Sequence, residues 1–97
     1  MQNKLLINGE LVEGAGAATA IIDPATGRAV GSVNEASGEQ IEAAVAAATE
    51  AFDTYGKTTP AERSALLLAV ADAIEEHNDE LAELESLDCG KPFAHAR

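Results

Sequence analysis

The chain has 97 residues with six Lys and Arg against 17 Asp and Glu, a formal charge of -11. A surface of that sign repels phosphate backbones and anionic lipid, which argues against nucleic acid and membrane surfaces as partners. Its apolar fraction rests heavily on alanine, with two Phe, one Tyr and no Trp, so any core is thin and gains by docking onto more protein.

No stretch approaches the ~20 apolar residues of a membrane span. MQNKLLINGE also lacks the apolar run and small-residue cleavage site of a secretion signal. One cysteine cannot staple the chain internally, which agrees with a reducing compartment. A cytoplasmic protein is expected. The length allows one domain at most, and no linker, repeat or low-complexity block marks an internal boundary. Residues 1–36 read as a β-hairpin region and 37–97 as a helical region.

Leu5, Leu6 and Ile7 run into Asn8-Gly9, a dipeptide that tolerates the positive φ of a two-residue hairpin, and Leu11-Val12 lead out. Gly14 and Gly16 loosen the next few residues. Ala20 to Ile22 then predicts a strand that Asp23-Pro24-Ala25-Thr26-Gly27 turns back into Arg28 to Val33, a second hairpin. Pro24 lacks a ladder N–H and Gly27 permits the return.

From Ser37 the period changes. Ser37 with Gln40 forms a capping-box pattern. Behind it Ile41, Ala44, Val45, Ala48, Phe52 and Tyr55 recur at helical spacing, predicting a helix over 38–55 that Gly56 stops. Thr59-Pro60-Ala61-Glu62 repeats the start signal and predicts a second helix over 60–77. Its apolar residues, Leu66, Leu67, Val70, Ala73 and Ile74 among them, cover more than one stripe, as expected of an interior helix. The run bends at His77-Asn78-Asp79, where Asn78 suits a cap, and Leu81, Leu84 and Leu87 carry it on to Cys89, with Gly90 as the stop and Pro92 preventing continuation.

Candidate chemistry is sparse. Cys89 lies six residues from His95 and near Lys91, but Asp88 adjoins it and the negative end of a helix disfavours a thiolate. A small, partly buried structural side chain is expected there. The acids Asp72, Glu75, Glu76, Asp79, Glu80, Glu83 and Glu85 lie on helices rather than on a glycine-bearing loop, and read as a solvated face. Asp88 differs, because beside Gly90 exposed carbonyls and one carboxylate can share a monovalent cation. Ser64 has no base or glycine elbow. No glycine pattern cradles phosphates. The residues by themselves display no active site, and a free-standing acidic helical interaction module is the alternative they leave open.

The order of the segments carries a resemblance. LLINGELVEG, IIDPATGRAVGSV, ATEAFDTYG and TTPAERSALLLAVADAIEEHNDELAELESLDCGKP together resemble the start of the aldehyde dehydrogenase superfamily over nearly the whole chain. Within it, QNKLLINGELV and ELESLDCGKP look most like the gamma-aminobutyraldehyde (1-pyrroline) dehydrogenases of putrescine breakdown, with betaine aldehyde dehydrogenases as neighbours. Tyr55 stands where the family commonly has tryptophan.

The resemblance implies an α/β fold of which this is the N-terminal piece: two β-hairpins, then two to three helices packing on the NAD-binding domain. It implies a parent that oxidises an aldehyde, 4-aminobutanal for the group named, to its acid with NAD. That parent uses a cysteine nucleophile, a glutamate base and an oxyanion-holding asparagine, all beyond residue 97. The 97 residues alone are then inactive scaffolding that holds no NAD. Their partners are the remainder of the subunit and, for the parent, further copies in a homotetramer. It also implies a K+ or Na+ site made from the carbonyls of Ile21 and Ile22, the carboxylate of Asp88 and a downstream carbonyl.

Overall fold

The computed structural model describes residues 2–97. They divide into two compact units, one holding the chain up to Ile21 together with Ala29–Lys57, the other Ile22–Arg28 with Thr58–Arg97.

In the first unit, β1 (Leu5–Ile7) and β2 (Glu10–Val12) form an antiparallel hairpin with Leu5 opposite Val12, Leu6 opposite Leu11 and Ile7 opposite Glu10. Asn8 and Gly9 have φ of 51° and 76°, the left-handed pair that a two-residue turn needs to match strand twist. Strands β3 (Ala18–Ile22) and β4 (Ala29–Asn34) make a second two-stranded sheet.

Helix α1 (Gly38–Tyr55) begins with a complete capping box: the Ser37 hydroxyl accepts from the Gln40 N–H, and the Gln40 side chain accepts from the Ser37 N–H. Gln40 does more than cap. Its Oε1 also accepts from the Ala15 N–H at 2.8 Å, and its Nε2 donates to the Glu13 carbonyl at 2.7 Å, so one side chain fixes the 13–15 segment to the helix start. Gly14 lies on this segment, where a Cβ would stand 2.1 Å from the Asn34 carbonyl oxygen. Only a residue without a side chain fits. The β1 strand packs on α1.

In the second unit, α2 (Pro60–Glu76) carries the second complete capping box, from Thr59 and Glu62, with proline at the first helical position. The Thr59 backbone and side-chain hydrogen bonds hold the Glu62 carboxyl below the usual carboxylate range. Helix α3 (Asn78–Cys89) packs on α2 and on the short α4 (Phe93–Ala96). Asn78 is the first helical residue and not a cap; His77 closes α2 and opens α3, and no side chain caps that start. The sequence reading also missed α4. Pro92 precedes its first turn, a position where a missing N–H costs nothing.

Helix α2 has no buried residue: Leu67 is 67% and Leu68 64% exposed. Among the described residues, Ala82 on α3, at 1%, is the one fully enclosed apolar side chain. The broad apolar surface that suggested an interior helix is present, but among the described residues the packing of α3 leaves every α2 side chain short of burial. No helix among the described residues is long and apolar enough to cross a membrane.

Candidate functional site: the proline turn and the end of α3

Asp23 organises the turn. Its Oδ1 accepts from the Ala25 N–H at 2.8 Å and its Oδ2 from the Thr26 hydroxyl at 2.9 Å. Its backbone N–H donates to the Arg28 carbonyl and its own carbonyl accepts from Gly27, whose φ of 70° lets the chain return. At 9% exposure Asp23 is the buried charged residue among those described, and every carboxylate oxygen is satisfied. The proline ring faces the second component of the site.

That component is the C-terminus of α3. Gly90 takes φ 73° and its N–H returns to the Ser86 carbonyl, a left-handed helix stop. A Cβ at Gly90 would lie 3.0 Å from Pro24 Cγ, so glycine is required both by backbone angle and by close approach to the turn. The Ser86 hydroxyl donates to the Lys91 carbonyl at 2.7 Å, and Lys91 Nζ pairs with Glu85 at 3.1 Å. These contacts lock the residues on both sides of the stop.

Of the residues expected to hold a cation, Asp88 sits on the last turn of α3 and Ile22 ends β3, immediately before the turn. Both belong to the second unit, whose turn and helix end meet at Pro24 and Gly90. Ile21 belongs to the first unit. The Asp88 carboxylate is exposed and forms no hydrogen bond or ion pair among the described residues, leaving both oxygens available. A soft or multivalent metal wants more, and no group of three or more His, Cys, Asp or Glu side chains is gathered among the described residues.

Cys89 is exposed rather than partly buried, which corrects the sequence expectation. Its thiol donates to the Glu85 carbonyl at 3.1 Å, one turn back along the same helix. No bond joins it to His95 among the described residues. Three members of the acidic set meet basic side chains, Asp79 with Arg97 at 3.0 Å, Glu85 with Lys91 and Glu80 with the His77 ring at 3.5 Å, and the set is solvated as expected. Sequence reading missed the long-range roles of Gln40 and Gly14; the glycine-rich spacing at 14 and 16 was the one available signal for the latter.

Residues 11–97 match the aldehyde dehydrogenase family. The chain is 45% identical over 94 residues to the mitochondrial benzaldehyde dehydrogenase of Antirrhinum majus, covering 94% of itself and 18% of that protein. It superposes on PnpE, solved in complex with nicotinamide adenine dinucleotide, with a TM-score of 0.93 at 40% identity, covering 100% of itself and 20% of that chain. With the NAD+-bound betaine aldehyde dehydrogenase of Staphylococcus aureus the TM-score is 0.89 at 35% identity, covering 98% and 20%. The chain thus spans about a fifth of the length of the proteins it matches. With the family match running over residues 11–97 and these likenesses beside it, the chain belongs to the aldehyde dehydrogenase family.

Proposed function

We propose that these residues are architectural: they build the N-terminal part of the NAD-binding domain in a subunit that oxidises an aldehyde to its acid with NAD. The observation that carries the reading is the conjunction of full-length superposition, at a TM-score of 0.93, with 20% coverage of the matched chain. The open apolar surface of α2 supports it, since each leucine left in water forgoes ~1.5–3 kcal/mol of transfer free energy. The remainder of the subunit is the partner that covers it. No bond-making step is assigned to these residues; NAD, when bound, accepts hydride elsewhere in the subunit.

The aldehyde we assign is 4-aminobutanal, on the QNKLLINGELV and ELESLDCGKP segments, with a cytoplasmic homotetramer as the working form. Asp88, with the carbonyls of Ile21 and Ile22, is proposed to hold K+ or Na+ in that form. Two measurements test the assignment. The purified 97-residue chain should retain no NAD in a calorimetric titration and give no aldehyde-dependent NADH; turnover by this chain alone overturns the architectural reading. In the subunit-length protein, K+ should raise the melting temperature and Asp88→Ala should abolish that rise; a melt indifferent to K+ with either residue removes the cation site.

A further inference from the structure

We infer that Asn8 is a site of spontaneous covalent modification, converting to aspartate and isoaspartate, and that the product dismantles the first hairpin. Asn8 and Gly9 are exposed, both have positive φ, and a Cβ at Gly9 would meet nothing within 4 Å. The Gly9 N–H donates to no backbone carbonyl among the described residues. An unhindered, unbonded amide nitrogen beside an asparagine side chain is a nucleophile with a target one residue away.

In the reaction, the Gly9 nitrogen attacks Asn8 Cγ. The N–Cγ bond forms, the Cγ–Nδ2 bond breaks, and Nδ2 leaves as ammonia with the Gly9 amide proton, closing a five-membered imide. Water then adds to one of the two ring carbonyls, breaking its bond to nitrogen and giving aspartate or isoaspartate. No oxidant or cofactor is involved.

Ring closure eclipses Cβ and the Gly9 nitrogen about the Asn8 Cα–C bond, an arrangement different from the left-handed turn, so reaction proceeds when the turn opens. Strands of three residues open readily. Isoaspartate adds a backbone methylene to a two-residue loop that sets the Leu5–Val12, Leu6–Leu11 and Ile7–Glu10 register. Either product also places a carboxylate at the rim of a cavity that Asn8 shares with Glu50 and Asp53.

Asn3, Asn34 and Asn78 are internal controls, because Lys4, Glu35 and Asp79 hinder the same attack. Incubated at mildly alkaline pH and mapped by peptide mass spectrometry, with isoaspartate scored by an isoaspartyl-specific carboxyl methyltransferase, Asn8 should convert at least about tenfold faster than the other three. Conversion of any of those three alongside or before Asn8 overturns the proposal. In urea, where the turn is open in wild type and variant alike, Gly9→Ala should slow loss of Asn8 by about tenfold or more; equal rates would show that the glycine does not direct the attack.

Discussion

The proline turn and helix α2 belong to the same unit and meet their bonding needs in opposite ways. Within Asp23 to Arg28 the hydrogen bonds that shape the turn join residues two to five positions apart, all inside this chain. Helix α2 is equally complete along its backbone, with a capping box and a proline start, yet its leucines face outward. Hydrogen bonds of short sequence separation close locally. Apolar faces close only against distant segments, and the partner we propose for α2 is the part of the fold that the matched structures have beyond the fifth this chain spans.

Four substitutions, two of them with a control, break or sharpen that contrast. The largest effect is expected from Gly14→Ala, whose Cβ would collide with the carbonyl oxygens of both Asn34 and Glu35. Amide exchange at Gly16, which donates to the Glu35 carbonyl, and at Glu35, which donates to the Ala17 carbonyl, should lose protection equivalent to about 3 kcal/mol or more. Gly31→Ala, with open space around it, should leave those amides unchanged.

Asp23→Ala comes next. It strands the Ala25 N–H and the Thr26 hydroxyl, and a loss of ~1–3 kcal/mol of protection is expected at Ala25 and Gly27. Third, Thr59→Ala removes one half of the α2 box and should fray the first turn by ~0.5–2 kcal/mol. The Glu62 side of that box is pH-dependent. Its folded pKa is lowered, so its contribution is present above the ordinary glutamate pKa and is lost as pH falls through the lowered value. NMR of the Thr59 amide should follow that titration, and Glu62→Gln should flatten it.

The smallest effect in this chain separates the two regions most clearly. Leu67→Ala should change its helicity or amide protection by less than ~0.5 kcal/mol, as for an exposed side chain. In the subunit-length protein the same substitution should cost ~2–5 kcal/mol in denaturant unfolding. Equal small effects in both would mean that α2 stays open in the whole protein.

The same division governs what was legible in the sequence. Asn8-Gly9 named its turn because two successive positive φ values admit few residues, and Ser37 with Gln40 and Thr59 with Glu62 named two helix starts because each box closes within four residues. Gly90 was legible as a stop, but its second reason, the Pro24 ring 3.0 Å from where a Cβ would stand, joins segments more than sixty residues apart. Gln40 shows the limit most sharply: its capping role is a four-residue pattern, whereas its bonds to Glu13 and Ala15 cross 25 to 27 positions. Asn78 misled because residue preference at a cap yields when the preceding helix runs to the adjacent residue and leaves no extended backbone for it; His77 has ψ 15° there. Of the candidate cation site, Asp88 stood out beside the Gly90 stop, whereas Ile21 and Ile22 came only from the resemblance, since backbone carbonyls leave no residue pattern.

The central claim is that these residues form local structure whose apolar faces require the rest of a dehydrogenase subunit. Thermal unfolding of the purified chain followed by circular dichroism, with sedimentation fixing its mass, tests it most directly. A gradual, weakly cooperative loss of helicity is expected. A sharp, concentration-independent transition of a monomer would contradict the claim.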